Sequence, residues 1–208
     1  LKALLVVGSA PCALEDLAVA RSLYPDHEVM LVNGACTMVE KAEHILAGHT
    51  DKAEQFAKAR EAKFPFAQPV RVHASFRDAK RGNRRERELR TFFPAVTDWW
   101  GADKSSGATS ASKAALIGID MGFSPIVLCG CPMDGSGYSP DEAVVKHDNS
   151  CQRVGDPRMQ DRATIRRYRD KLATYAQTMF KDRVYSMSGY TRKQLGAPPA
   201  LAVAGWLE

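Results

Sequence analysis

The residues best suited to chemistry sit in small-residue turns that follow short apolar runs. Leu4-Leu5-Val6-Val7 runs into Gly8-Ser9-Ala10-Pro11. Between a buried strand and a helix, such a turn presents backbone N–H groups at a helix N-terminus, where an anion is stabilised. Ser9 suits the cap of that helix and Pro11 its first turn. The turn fits neither Gly-x-Gly-x-x-Gly nor a P-loop, which takes support from dinucleotide oxidoreductase and ATPase readings. Val29-Met30-Leu31-Val32 ends in Asn33-Gly34. In a Rossmann-type sheet that edge meets the ribose or base of a nucleotide. An Asn can donate and accept there, although Asn-Gly also serves as a plain turn. The third group, Ser105-Ser106-Gly107-Ala108-Thr109-Ser110, gathers hydroxyls and N–H groups ahead of an apolar helix. That pattern suits phosphate.

Moving a proton needs a titratable group near these turns, and the chain has five histidines. His27 precedes a strand and reads as a surface residue. His44 falls in a helical stretch and reads as structural. His49, in Ala-Gly-His-Thr at a helix start, fits a structural or a functional role equally. His73 ends a strand, at the kind of edge where sites form. His147 lies beside Asp148 in a long polar segment. A His–Asp neighbour titrates near neutral pH and can take a proton from a hydroxyl. His147 is therefore the favoured base, Asp134 its competitor, and His49 the third candidate.

The elements that must position these groups follow from periodicity. Short buried strands are expected at Leu4–Val7, Val29–Val32, Val70–His73, Pro125–Leu128 and Val184–Met187, with a further one at Ala95–Trp100. Helices are expected at Cys12–Leu23, at Thr37–Leu46 with Gly48 ending it, and from Thr50-Asp51 with Asp51 and Glu54 in capping-box register. Another runs from the Ser-rich turn through Met121. The clearest amphipathic helix spans Met159–Phe180, with Ile165, Tyr168, Leu172, Tyr175 and Met179 as its apolar stripe. The tail after Gly196 reads as loosely packed. Strand alternating with helix implies an α/β fold, a mainly parallel sheet with helices on both faces.

The length of 208 residues suits a single nucleotide-binding α/β domain spanning 1–208, with a basic excursion at 76–91 and a long active-site loop at 131–157. The cysteine count is odd, five, and no Cys-x-x-Cys occurs, which disfavours a disulfide framework or zinc ribbon and fits a reducing, cytoplasmic setting. No apolar run is long enough for a membrane span. The net charge is +5. The segment Arg71–Arg90 holds eight Arg/Lys and three Asp/Glu, which accounts for that whole excess. Such a patch favours anionic partners or is simply a solvated surface.

Val-Gly-Ser-Ala-Pro, then Asn33, then Ser-Gly-Ala-Thr-Ser-Ala…Gly-Phe-x-x-Ile-x-Leu-x-Gly-x-x-x-Asp resembles the bacterial sialyltransferases of glycosyltransferase family 42. It resembles equally the 6-hydroxymethylpterin diphosphokinase-like family, which includes flagellin-modifying glycosyltransferases. The resemblance implies a Rossmann-like (GT-A-like) fold. It matches Gly8, Ser9 and Ala10 to the loop that touches the donor phosphate and Asn33, followed by Gly34, to the nucleoside contact. Ser106, Gly107 and Ala108, next to Ser105, match the loop around base and ribose. Asp134 matches the acid after the fifth strand and His147 the general base. The chain departs from the family at Pro11-Cys12, where a serine phosphate ligand is missing, and at Gly130-Cys131-Pro132-Met133-Asp134, which sets the acid further out.

These readings favour a glycosyltransferase moving a sugar from a nucleotide-sugar to an acceptor hydroxyl. No Asp-x-Asp motif occurs for a metal bound in that way, and whether a metal is used at all stays open. The alternative is an ATP-dependent diphosphokinase, which would need Mg²⁺ held by acids such as Asp134, Asp141 and Asp148. A third reading is a non-enzymatic nucleic-acid-binding protein. A hybrid joins the first and third: a hydroxymethylated base in DNA as acceptor, with Arg81, Arg84 and Arg85 on the phosphates and Trp99 or Trp100 stacking on a flipped base.

Overall fold

The computed structural model describes residues 1–75, 86–101, 109–133 and 162–204, with 86–88 and 162–165 as backbone only. Seven strands form one sheet in the order β5-β4-β3-β2-β1-β6-β7. They are β1 (Ala3–Val7), β2 (His27–Val32), β3 (His44–Leu46), β4 (Arg71–Ser75), β5 (Asp98–Trp100), β6 (Ile126–Cys129) and β7 (Val184–Ser186). Every neighbouring pair is parallel. The α/β, Rossmann-like, parallel architecture expected from the sequence is the one observed.

The helices are α1 (Ala13–Leu23), α2 (Ala53–Lys63), α3 (Glu86–Phe92), α4 (Ser110–Asp120), α5 (Arg162–Gln177), α6 (Gly189–Leu195) and α7 (Pro199–Val203). A parallel sheet covered on both faces favours apolar strands, and β1 is apolar and buried at all five positions. Alternation divides the sides. Leu5, Val7, Val29, Leu31, Ile45, Val127 and Cys129 join one core with Ala13, Leu17 and Ala20 of α1 and Phe56 of α2. Leu4, Val6, Met30, Val32, Leu46, Ile126 and Leu128 join the other with Ala114, Ala115 and Ile117 of α4 and Leu172 and Tyr175 of α5. Each fully buried Leu or Ile stabilises by roughly 1.5–3 kcal/mol.

Four sequence expectations are corrected. The stretch Thr37–Leu46 is not a helix: a 3₁₀ turn over Asn33–Thr37 is followed by β3, so His44 lies on a strand. The Asp51–Glu54 capping box is replaced by a 3₁₀ turn, Thr50–Lys52, and Glu54 accepts a hydrogen bond from the Ala95 N–H instead. The apolar stripe of α5 holds at Leu172 and Tyr175 but not at Met179, which is exposed beyond the helix end. The tail after Gly196 folds as α7 and buries Leu201 in the α1-side core.

Candidate functional site

The chain leaves β1 for β2, β3, β4 and β5 on one side and returns to β6 on the other. The connections therefore diverge between β1 and β6, and ligands of open α/β sheets bind at the carboxyl ends beside such a point. Here the two strand ends are drawn tightly together. The Gly8 N–H donates to Cys129 O at 2.8 Å and the Ala10 N–H to Gly130 O at 3.2 Å. A Cβ on Gly8 would lie 2.5 Å from Gly130 O and 2.6 Å from Cys131 Sγ. Gly130 has φ +63°, and a Cβ on it would lie 2.3 Å from Ala13 Cβ. Both glycines are therefore required by close approach, Gly130 also by its left-handed backbone.

Beneath this seam lies Asp16, buried in the first turn of α1. Its Oδ2 accepts from the Gly130 N–H at 2.8 Å and from the Ser188 hydroxyl at 2.7 Å, joining the ends of β6 and β7 to α1. Ser186, Thr191 and the Cys131 carbonyl continue the lock, with Thr191 Oγ1 donating to Cys131 O at 2.8 Å. Two N–H groups of the expected anion turn are thus engaged by the protein itself, and a carboxylate already faces the positive end of α1. The cap of α1 is Cys12, with no side-chain cap bond, rather than Ser9, and Pro11 precedes the helix. Burial raises the Cys12 thiol above its ordinary value and pushes that of Cys131 up to about 12. Both are thiols at neutral pH and neither is a nucleophile there.

A second polar corner is built from side chains at the ends of β2 and β3. Asn33 stands in a left-handed conformation, φ 53°, which Asn tolerates better than most residues. Its Oδ1 accepts from the Gly48 N–H at 2.7 Å, and its Nδ2 donates to the Ser110 hydroxyl at 3.1 Å. Ser110 opens α4, whose cap is Thr109: its hydroxyl oxygen accepts from the Ser112 N–H at 3.1 Å. A Cβ on Gly48 would lie 2.2 Å from Ser110 Oγ, so this close approach also requires glycine. Lys113, one turn into α4, donates to Gly48 O at 3.3 Å. His49 is exposed directly after Gly48. The corner thus places an amide, hydroxyls, an ammonium and an imidazole-bearing residue around one strand edge, which suits the polar edge and anionic charge of a nucleotide.

On the far side of the seam, Arg169 of α5 donates to Met133 O at 2.8 Å and lies over the Tyr190 ring at 4.3 Å. It pins the chain just past β6. Among the described residues no group of three His, Cys, Asp or Glu could hold a metal. Among them, too, no helix is long and apolar enough to cross a membrane.

Of the residues singled out in the sequence, Gly8, Ser9 and Ala10 line the seam, and Asn33, Gly34 and His49 lie at the second corner. His147, Asp134, Ser105, Ser106, Gly107, Ala108, Arg81, Arg84 and Arg85 lie outside the described residues. His73 is not at an exposed edge. It is fully buried inside β4, bonded to His44, which is buried in β3. Ser110, the last residue of the Ser-rich group, lies at that corner too, while Asp16, Gly48 and Lys113 were not singled out for a site. Lys113 had a signal, a cation one turn inside the helix that the Ser-rich stretch opens; Asp16 offered none beyond its place in the first turn of α1.

No protein-family model and no curated protein matches the chain. Solved structures do. The sialyltransferase CstII from Campylobacter jejuni in complex with CMP-3FNeuAc superposes with a TM-score of 0.61 at 13% identity, covering 97% of this chain and 88% of that one. CstII with cytidine-5'-monophosphate gives 0.63 at 14%, with 97% and 86% covered. The monofunctional alpha-2,3-sialyltransferase Cst-I, also from C. jejuni, gives 0.62 at 12%, with 97% and 82% covered. At such identity the likeness is one of fold.

Proposed function

We propose that the chain works as one nucleotide-binding domain and is a glycosyltransferase, moving a sugar from a nucleotide-sugar donor to an acceptor hydroxyl. The observation that carries this reading is the Asn33–Gly48–Ser110 corner, set at the carboxyl edge of a sheet whose structural neighbours were crystallised with CMP and CMP-3FNeuAc. A cytidine monophosphate donor is accordingly the first candidate.

In this reading Asn33 and Ser110 hold the nucleoside, and Lys113 supplies positive charge for the leaving phosphate. The acceptor oxygen attacks the anomeric carbon, and the carbon–oxygen bond to phosphate breaks with its electron pair on the nucleotide. The acceptor proton passes to a base, for which His147 is the first choice and Asp134 and His49 the alternatives. The diphosphokinase alternative draws nothing from the structural neighbours. A hydroxymethylated base in DNA as acceptor rests on the basic run with Arg81, Arg84 and Arg85 alone.

Calorimetry with CMP, UDP, GDP and ATP tests the reading. One nucleotide, CMP first, is expected to bind, and Asn33→Ala to weaken it by about tenfold while the circular dichroism spectrum is kept. Binding of none of the four by the unaltered chain overturns the proposal. Unchanged affinity in Asn33→Ala moves the nucleotide away from this corner.

A further inference from the structure

The polar residues on the α4-covered face of the sheet form a chain that crosses it from strand to strand. Lys2, just before β1, donates to Glu28 Oε1 of β2 at 3.0 Å. Glu28 Oε2 lies 2.6 Å from His44 Nε2 of β3. His44 Nδ1 lies 3.0 Å from His73 Nε2 of β4, and the Trp100 indole N–H of β5 donates to His73 Nδ1 at 3.0 Å. Both imidazoles are buried, and the His44 ring meets Phe123 edge-on at 6.2 Å between centroids.

The indole fixes the proton positions. An indole N–H can only donate, so His73 Nδ1 carries no hydrogen. A neutral imidazole has one N–H, which for His73 must then be on Nε2 and donates to His44 Nδ1. The hydrogen of His44 must in turn be on Nε2, donating to Glu28. Every nitrogen in the chain has one role, and the direction runs from Trp100 to the carboxylate. One added proton breaks it. Placed on His73 Nδ1, it faces the indole N–H. Placed on His44 Nδ1, it requires His73 to accept at Nε2 and move its own hydrogen to Nδ1, again facing the indole.

We propose that the His44–His73 pair is a proton-sensitive latch on the edge strand β5, which releases Trp100 when the pair takes up one proton. β5 is a three-residue edge strand that pairs only with β4, so the indole bond and the Arg71–Asp98 ion pair are a large share of what holds it.

The charges around the pair oppose one another. Glu28 favours the cation: burial works against its charge, but the bonds from His44 and Lys2 outweigh that and hold its carboxyl below the usual range. Lys2 also faces Asp26, and Glu43 stands near that end, accepting from the Val29 N–H. At the other end are Asp98, which favours a charged His73, and its ion-pair partner Arg71, which disfavours it. Burial, and then His44, push His73 down to about 4. That value lies below the ordinary histidine value of about 6.5. The stability contributed by the neutral ring is therefore complete above about pH 6.5 and is lost as pH falls toward 4, at roughly tenfold in the folding equilibrium per pH unit.

Nitrogen-15 NMR of the imidazole and indole groups of the full chain, from about pH 8 to about pH 3, tests the latch without any nucleotide. At neutral pH both rings are expected to carry hydrogen on Nε2. On acidification the Trp100 indole signal, identified by Trp100→Phe, is expected to leave its hydrogen-bonded position in the same step that protonates the pair, with backbone signals elsewhere unchanged. His44→Gln combined with His73→Gln keeps a donor and an acceptor at each place but can take no proton, and should abolish the step. If that variant fails to fold, the tautomers of the unaltered chain still decide. Hydrogen on His73 Nδ1 at neutral pH, an indole signal that ignores the imidazole step, or loss of all backbone dispersion in that step overturns the proposal.

Discussion

The β1–β6 seam and the β2–β3–α4 corner share one edge of the sheet but are built from opposite materials. At the seam, backbone meets backbone, glycines permit the contact, and a buried carboxylate satisfies the donors left over. At the corner, one amide side chain bridges two separate elements and stays half-exposed. A seam of this kind sets the spacing of strand ends and leaves little for a ligand to take. A corner of side chains can exchange its internal partners for those of a ligand, because hydrogen bonds at a solvated edge contribute only about 1 kcal/mol net. On the proposed function, the comparison separates residues that hold the site in shape from residues that would recognise the nucleotide.

Substitutions can break this contrast. Gly130→Ala has the largest expected effect. It combines a left-handed backbone with a methyl driven into α1, and should cost roughly 3 kcal/mol or more, read as a lower urea midpoint at unchanged slope. A cost under about 1 kcal/mol would mean the seam yields easily and is not a fixed frame. Asp16→Ala comes next. It leaves the Gly130 N–H and the Ser188 hydroxyl without their acceptor and should cost about 2 kcal/mol, while Asp16→Asn, which keeps an oxygen, should cost less. Equal losses in the two variants would assign the effect to charge at the start of α1 rather than to hydrogen bonding. Asn33→Gly should cost least, about 1 kcal/mol, because glycine keeps the left-handed turn and only the side-chain bridge is lost. Should it destabilise as much as Gly130→Ala, the two regions would be alike.

The sequence disclosed the parts of the fold whose pattern is local. The run Leu4–Val7, the amphipathic α5 and the Ser-rich start of α4 each announce themselves within a dozen residues. The stretch 33–46 did not. A three-residue strand has too few positions to show alternation, and Val39, Ala42, Ile45 and Leu46 mimic a helical face. What holds this stretch is remote: the Arg60 guanidinium of α2 donates to the carbonyls of Cys36, Val39 and Glu40, a role no local pattern reveals. The site divides in the same way. Asn33 was visible because it ends an apolar strand, and Gly8 because it opens a turn. Asp16 and Gly48 acquire their roles only when β6 and α4 arrive, and His73 looked like an edge residue until β5 covered it.

The central position of β1 has a consequence for how the molecule is made. Leu4 pairs with Ile126 on one side and with Glu28 on the other. A ribosome adds roughly 5–20 residues per second, so β1 waits on the order of ten seconds after its synthesis before β6 can exist. Until then β1–β5 can assemble only as a five-stranded partial sheet, with the whole β6-facing edge of its most apolar strand unpaired. Exposed strand edges of that kind are templates for pairing with other chains. Closing that edge is a long-range event, which makes slow folding and chaperone dependence the expected behaviour of the nascent chain.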